Sequence, residues 1–263
     1  RAGHRTMMSH ATKDAVHAAR EPAPWPAGTA ARVLFAVAVF AGHAWLLLNP
    51  QVPARFGLVM MDRPFLDSHA ILAAGDAVRA GLDPWKVNPL DALGRPHCYS
   101  SWWLAAAPLG LTRADNAWVG PLWQAAFLLT ALLILRPDSL RGMLLAAAVL
   151  FSPPVLLGVS RANNDLPVFA LLGLGLLALS SRKRGATAWF GGSVVVATGL
   201  KFYPVAAAAA LVSLRPRRHA LAAFALTVGV AAVGVVAEEH LVRAVLPVVP
   251  ARDAAVGIVP HIA

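Results

Sequence analysis

The stretch Ala188–Ser213, AWFGGSVVVATGLKFYPVAAAAALVS, decides how this chain is read. It is apolar enough to enter a bilayer, yet Arg182-Lys183-Arg184 precedes it and Arg215, Arg217 and Arg218 follow it. Lys and Arg clusters beside membrane spans stay on the cytoplasmic side. Both ends of the stretch are therefore expected on one face, which makes it a broken, re-entrant-like hairpin. Its middle, Gly199-Leu200-Lys201-Phe202-Tyr203-Pro204, carries the break and one cation. Irregular backbone at membrane depth survives where protein or a watery cavity surrounds it. An ionisable residue at such a place marks a working site by default.

Composition agrees with a bilayer. The 263 residues are 58% hydrophobic and 14% charged, against about 25% charged in a soluble domain. The fold class expected is all-α, a polytopic transmembrane helical protein. A formal net charge of +10 raises the question of nucleic acid. However, the bases sit in short loops between apolar runs, where they set topology, and no basic stripe marks a folded soluble region. Nucleic acid is not an expected partner; membrane lipids are. The single cysteine, Cys98, supports neither a disulfide framework nor a metal cluster.

Residues 1–30 are polar, with Pro22, Pro24 and Pro26, and read as a disordered cytoplasmic tail. Residues 31–263 read as one transmembrane domain, incomplete at its C-terminus. Val33–Leu48 is the first span, and since no small-residue cleavage site follows, it reads as uncleaved. A loop over residues 51–117 then lies outside. Within it Leu66–Ala80 is expected as a helix capped by Asp67 and stopped by Gly81. Its apolar residues Ile71, Leu72 and Val78 suit a juxtamembrane position. A second interfacial segment starts at Trp102-Trp103. Spans follow at Trp118–Leu135, at Met143–Val159 (bent by Pro153-Pro154), at Leu166–Ser180 and at Ala220–Ala237.

Three separated segments converge on the outer face in this topology. The first runs from Met61-Asp62 through Asp67 to Arg95 and Tyr99. The second is the turn Arg161-Ala162-Asn163-Asn164-Asp165. The third is the hairpin tip with Lys201 and Tyr203. A carboxylate base, cations and amide groups are the parts that group transfer from a phosphate leaving group requires. The base activates an acceptor hydroxyl, and the cations stabilise charge on the departing phosphate.

Four motifs occur in order: Phe65-Leu66-Asp67, Gly81-Leu82-Asp83-Pro84-Trp85, Arg161-Ala162-Asn163-Asn164-Asp165-Leu166 and Leu200-Lys201-Phe202-Tyr203-Pro204. Together they resemble glycosyltransferase family 87, over roughly Leu58 to Val212. The resemblance implies a GT-C-like fold and transfer of a sugar, mannose in the first instance, from a polyprenyl-phosphate donor to a hydroxyl on a lipid or glycan acceptor. It implies a bacterial inner membrane, with the active site facing the periplasm. It points to Asp67 as the acidic residue that acts as base, with Asp62 as the alternative. It assigns Arg161 and Lys201 to the lipid phosphate, and Asn163, Asn164, Asp165, Tyr203, Arg95 and Tyr99 to substrate binding. Two departures stand out. Relatives have Tyr-Pro-Pro where this chain has Tyr99-Ser100-Ser101, and they are longer, with further spans.

Simpler uses exist for several of these residues. Asp67 serves equally well as a helix cap, Arg95 as a partner for Asp91, and one residue of the Asn-Asn-Asp turn as a cap for the next helix. His69 and His97 match no zinc spacing, so they are expected in polar or interfacial roles. Trp102 and Trp103 are expected at headgroup depth. The sequence leaves a divalent metal open, and no protein-bound organic cofactor is expected. The alternative functions are a transporter for an anionic solute built on the Lys201 break, or a non-catalytic membrane subunit. A transferase brings Asp67, Asp165 and Lys201 together; a transporter places Lys201 near the midplane, far from Asp67.

Overall fold

The structure is a computed structural model that describes residues 28–55, 57, 64–181, 183–214 and 216–238. The expected tail, the C-terminal residues beyond 238 and Asp62 lie outside the described residues. All regular elements among the described residues are helical. Helix α1 spans Thr29–Leu48, and a single turn, α2, spans Gln51–Ala54. Helix α3 spans Leu66–Arg79, α4 Asn116–Leu135, α5 Leu140–Leu150, α6 Pro153–Ser160 and α7 Asp165–Ser180. Helix α8 spans Ala186–Leu200, the turn α9 Ala209–Val212, and α10 Arg217–Ala237. Three 3-10 segments cover Ser101–Ala106, Arg113–Asp115 and Tyr203–Ala208.

Helices α1 and α10, and α4 with the turn before it, are long and apolar enough to cross a membrane. Helices α5 and α6 form a fourth span if counted as one, bent by 57° where Pro153-Pro154 interrupts the hydrogen-bond ladder. The chain is thus a polytopic helical membrane protein. Helix α8, of 15 residues, is about 22 Å long at 1.5 Å per residue, short of the roughly 30 Å hydrocarbon thickness. It ends at Lys201, whose backbone turns extended at φ −148°, ψ 138°. The chain then folds back as Tyr203–Ala208 and α9. The two arms pack through Phe190 and Val194 on one side and Ala208 and Leu211 on the other, all 2% exposed or less. The small residues of the Ala206–Ala210 run allow that approach.

Helix α3 departs from the membrane-surface position expected of it. Ile71 and Leu72 are buried, as are Ala73, Ala74, Gly75 and Ala77, and they face protein instead of lipid. The cause is the run of small residues: Gly75 lies against Ala107, close enough that an added Cβ would sit 3.4 Å from its Cβ. Val78, at the other edge, remains exposed. Gly81 at φ 74° ends the helix, with Leu82 N–H donating to the Ala77 carbonyl and Gly81 N–H to Val78. Ile71, Trp103, Val168 and Ala197 form one buried cluster, joining the loop to α7 and α8.

The tryptophan pair also departs from expectation. Trp103 is buried, and its Nε1–H donates to the Leu200 carbonyl at 3.0 Å. Trp102 lies across Gly199, where an added Cβ would fall 2.4–2.6 Å from three atoms of the indole. Both residues thus grip the end of α8, because the Ser101–Ala106 turn is docked on the bundle. Gly199→Val is expected to lower stability by about 1–3 kcal/mol through overpacking. Thermal unfolding in detergent checks it; an unchanged midpoint would show that Trp102 does not bear on Gly199.

Candidate active site

Two non-glycine residues with left-handed backbone flank the site: Phe65 at φ 59° and Ala162 at φ 44°. Such conformations cost on the order of 1 kcal/mol or more each and persist where surrounding contacts over-determine them. Here the contacts are plain. Phe65 N–H donates to the Ser160 carbonyl at 2.8 Å, and Asp67 N–H donates to the Arg161 carbonyl at 2.9 Å. The Phe65 carbonyl accepts from Ser68 Oγ at 3.0 Å and Asn116 Nδ2 at 3.2 Å. The Phe65 ring presses on Gly120, where no Cβ has room. The start of α3 is thereby fastened to the turn after α6.

That fastening brings Asp67 and Arg161 face to face. Arg161 Nε donates to Asp67 Oδ2 at 3.0 Å and Nη2 to Oδ1 at 2.9 Å, a bidentate pair. Asn163 Nδ2 donates to Oδ2 at 3.2 Å, and Arg95 Nη1 stands 3.6 Å from Oδ1. Asp67 is 1% exposed, so both its oxygens are held within the protein. It does not cap α3; no side-chain capping bond forms there.

Arg95 serves two carboxylates. Its Nε and Nη2 bind Asp91 at 2.9 and 3.1 Å, and Nη2 also donates to the Leu66 carbonyl. Burial pushes the Asp91 carboxyl up, but the nearby His69 ring, 3.9 Å away, and the hydrogen bonds from Arg95 outweigh it and hold the group below the usual carboxylate range. Tyr99 sits beside this cluster, and burial, followed by the charge of Asp67, pushes its hydroxyl up. The phenol therefore stays protonated.

The second carboxylate is Asp165, the first residue of α7. Lys201 Nζ and Tyr203 Oη both donate to its Oδ1 at 2.6 Å. Its side chain is 47% exposed, and Oδ2 has no hydrogen-bond partner among the described residues. Asn163 links the two carboxylates: its Oδ1 accepts from Asp165 N–H at 2.9 Å while its Nδ2 holds Asp67. Asn164 is buried, and its Nδ2 lacks a partner among the described residues. Asp67, Asp165 and Lys201 thus belong to one hydrogen-bonded constellation, the juxtaposition expected of a transferase. Among the described residues, no three His, Cys, Asp or Glu side chains gather as a metal-ligand set.

The matching of this chain with protein-family models bears on residues 101–245, over half of its length, and the family is described as Glycosyltransferase family 87. The chain belongs to glycosyltransferase family 87. It is therefore a membrane glycosyltransferase, acting on a sugar donor and an acceptor. Neither a curated protein nor a solved structure matches the chain. The matched region holds Arg161, Asn163, Asn164, Asp165, Lys201 and Tyr203. Asp67, Arg95 and Tyr99 precede it, and Asp67 is joined to the matched residues Arg161 and Asn163 by hydrogen bonds.

The Arg95–Asp91 pair expected from the sequence forms. Sequence reasoning missed Trp103 and Glu238 as supports of the site. His97 is a further support: it is 3% exposed and edge-on to Trp85 and Tyr99. Burial lowers its pKa from 6.5 to about 4. A lowered histidine favours the neutral form when folded, so its stabilisation is complete above pH 6.5 and is lost as pH falls toward 4. The full window amounts to about 3 kcal/mol. Asp91, also depressed, acts in the same direction at lower pH. Acidification from pH 7 to 5 is expected to lower the unfolding temperature, and His97→Gln to flatten that dependence. An identical slope in wild type and variant would count against it.

Proposed function

We propose that this family 87 protein transfers mannose from a polyprenyl-phosphate donor to a hydroxyl of a lipid or glycan acceptor, at the periplasmic face of a bacterial inner membrane. The observation that carries the reading is the pairing pattern. Arg161, Arg95 and Lys201 stand at one end of an apolar bundle, and each is held by a carboxylate. A phosphate anchored in the bilayer by its lipid would compete for these cations. Each cation it draws away frees carboxylate oxygens beside it, so donor binding and exposure of a base are coupled.

In the transfer, the acceptor oxygen attacks the anomeric carbon while the bond from that carbon to the phosphate oxygen breaks. The phosphate leaves with the electron pair, and the acceptor proton passes to a carboxylate. Asp67 takes that proton once Arg161 has turned to the phosphate. Lys201 and Arg161 stabilise the charge that develops on the leaving group. Asn163, Asn164, Tyr203 and Tyr99 position the sugar and acceptor.

One observation favours a second assignment of the base. Asp165 is half-exposed with a free oxygen, whereas Asp67 is closed in. In that reading Asp67 is the anchor for Arg161 and Asp165 accepts the proton. The donor is tested with purified protein, radiolabelled polyprenyl-phosphate mannose and a nucleotide-linked mannose side by side. Transfer from the lipid donor alone is the expected result. Transfer from the nucleotide sugar, or from neither, would overturn the donor assignment.

A further inference from the structure

We propose that Glu238, at the end of α10, is a positioning residue that sets the place of Lys201 through a chain of hydrogen bonds. The inference rests on the reading of Lys201 as the phosphate-binding cation. A carboxylate at the C-terminal end of a helix meets the negative end of its dipole and is disfavoured there. Glu238 is nevertheless only 7% exposed. Its compensation comes from 137 residues away in sequence: Ser101 N–H donates to Oε2 at 3.1 Å, and Ser101 Oγ donates to Oε1.

Ser101 opens the turn that carries both tryptophans. Trp103 Nε1–H then holds the Leu200 carbonyl at 3.0 Å, one residue before Lys201. Trp102 is wedged between α8 and α10, against Gly199 on one side and near Gly234 on the other. Lys201 itself spans from this clamp to Asp165. The path Glu238, Ser101, Trp103, Leu200, Lys201, Asp165 is continuous. Without it, the chain break after Leu200 has little to fix the direction in which the ammonium points. The carboxylate forms the outer end of the path, buried at an unfavourable helix end and held there by Ser101.

The test reads Lys201 directly. Its acylation by a water-soluble amine reagent is measured by peptide mass spectrometry relative to Lys86, whose side chain is 82% exposed. Glu238→Ala and Trp103→Phe, which removes the indole N–H, are each expected to raise the relative rate about tenfold, within the range of couplings inside one hydrogen-bond network. Glu238→Gln is expected to behave as wild type, since its amide oxygen accepts from Ser101 N–H and its amide nitrogen donates to Oγ. The KM for the lipid donor should rise in the first two variants and recover in the third. Equal acylation in wild type, Glu238→Ala and Trp103→Phe would overturn the proposal, as would Glu238→Gln matching Glu238→Ala. A failure of the phosphate role is separate: Lys201→Met would leave the donor KM unchanged, while Glu238→Ala and Trp103→Phe, with Lys201 in place, still raised its acylation.

Discussion

Asp67→Asn is expected to abolish most sugar transfer, lowering kcat by about 10²–10⁴-fold, the range supplied by a positioned proton acceptor. It is also expected to destabilise the protein. Asp67 is 1% exposed and bound by Arg161 through two hydrogen bonds, and breaking such a buried pair from one side costs about 3–5 kcal/mol. Loss of activity alone would therefore not distinguish a base from an anchor. The double variant Asp67→Asn with Arg161→Gln isolates the stability cost of the unpaired charge. Two amides can hydrogen-bond without an uncompensated charge, so part of the stability should return. Activity should not return, because position 67 no longer carries a carboxylate and Arg161 is no longer there for the phosphate. Asp165→Asn provides the comparison. Its ion pair with Lys201 is half-exposed, worth about 0–1 kcal/mol, so its unfolding temperature should stay near wild type. Initial rates and thermal unfolding of the three variants settle the roles. A well-folded Asp67→Asn protein with wild-type turnover would move the base to Asp165.

The features legible in the sequence are those coded locally. The Lys201 break was written in Gly199, Pro204 and the basic flanks, and the structure turns at that residue. The 57° bend was written in Pro153-Pro154. Four of the five expected spans were legible because a bilayer demands apolar length, one of them as the bent pair. Asp165–Ser180, expected as a span, is instead one of the shorter apolar helices. What could not be read is coded by distant packing. Topology brought the segments of Asp67 and Arg161 to one face, but not their direct pairing across 94 residues, and the left-handed Phe65 and Ala162 that orient them are ordinary residues for any other conformation. Helix α3 looked suited to a membrane surface because amphipathicity does not say whether the apolar face meets lipid or protein. Trp102 and Trp103 resembled interfacial residues for the same reason, since composition cannot reveal that Gly199 leaves room for an indole. The Glu238 contact with Ser101 spans 137 residues and has no local signature at either end.

Lys201→Met is the second change expected to have a large effect, a loss of about 10²–10³ in kcat/KM, comparable to removal of one preorganised donor to developing charge. The direction follows from what surrounds the ammonium. It is 24% exposed, hydrogen-bonded to Asp165 at 2.6 Å, and 5.9 Å from the Tyr203 ring centroid. Methionine keeps the aliphatic stem and its packing, so stability should change by no more than the roughly 0–1 kcal/mol of a partly exposed pair. A lysine that merely snorkels would then leave transfer unaffected. If it meets phosphate, the donor KM rises and kcat falls together, because the same charge acts before and during departure. Lys201→Arg should recover part of the binding but less of kcat, since a planar guanidinium cannot place its charge where a compact ammonium does. The pair Lys201→Met with Asp165→Asn completes the case. If Asp165 serves only to hold Lys201, its loss adds nothing once the lysine is gone. If it touches acceptor or sugar, the two effects multiply, and the free Oδ2 is the atom through which it does so.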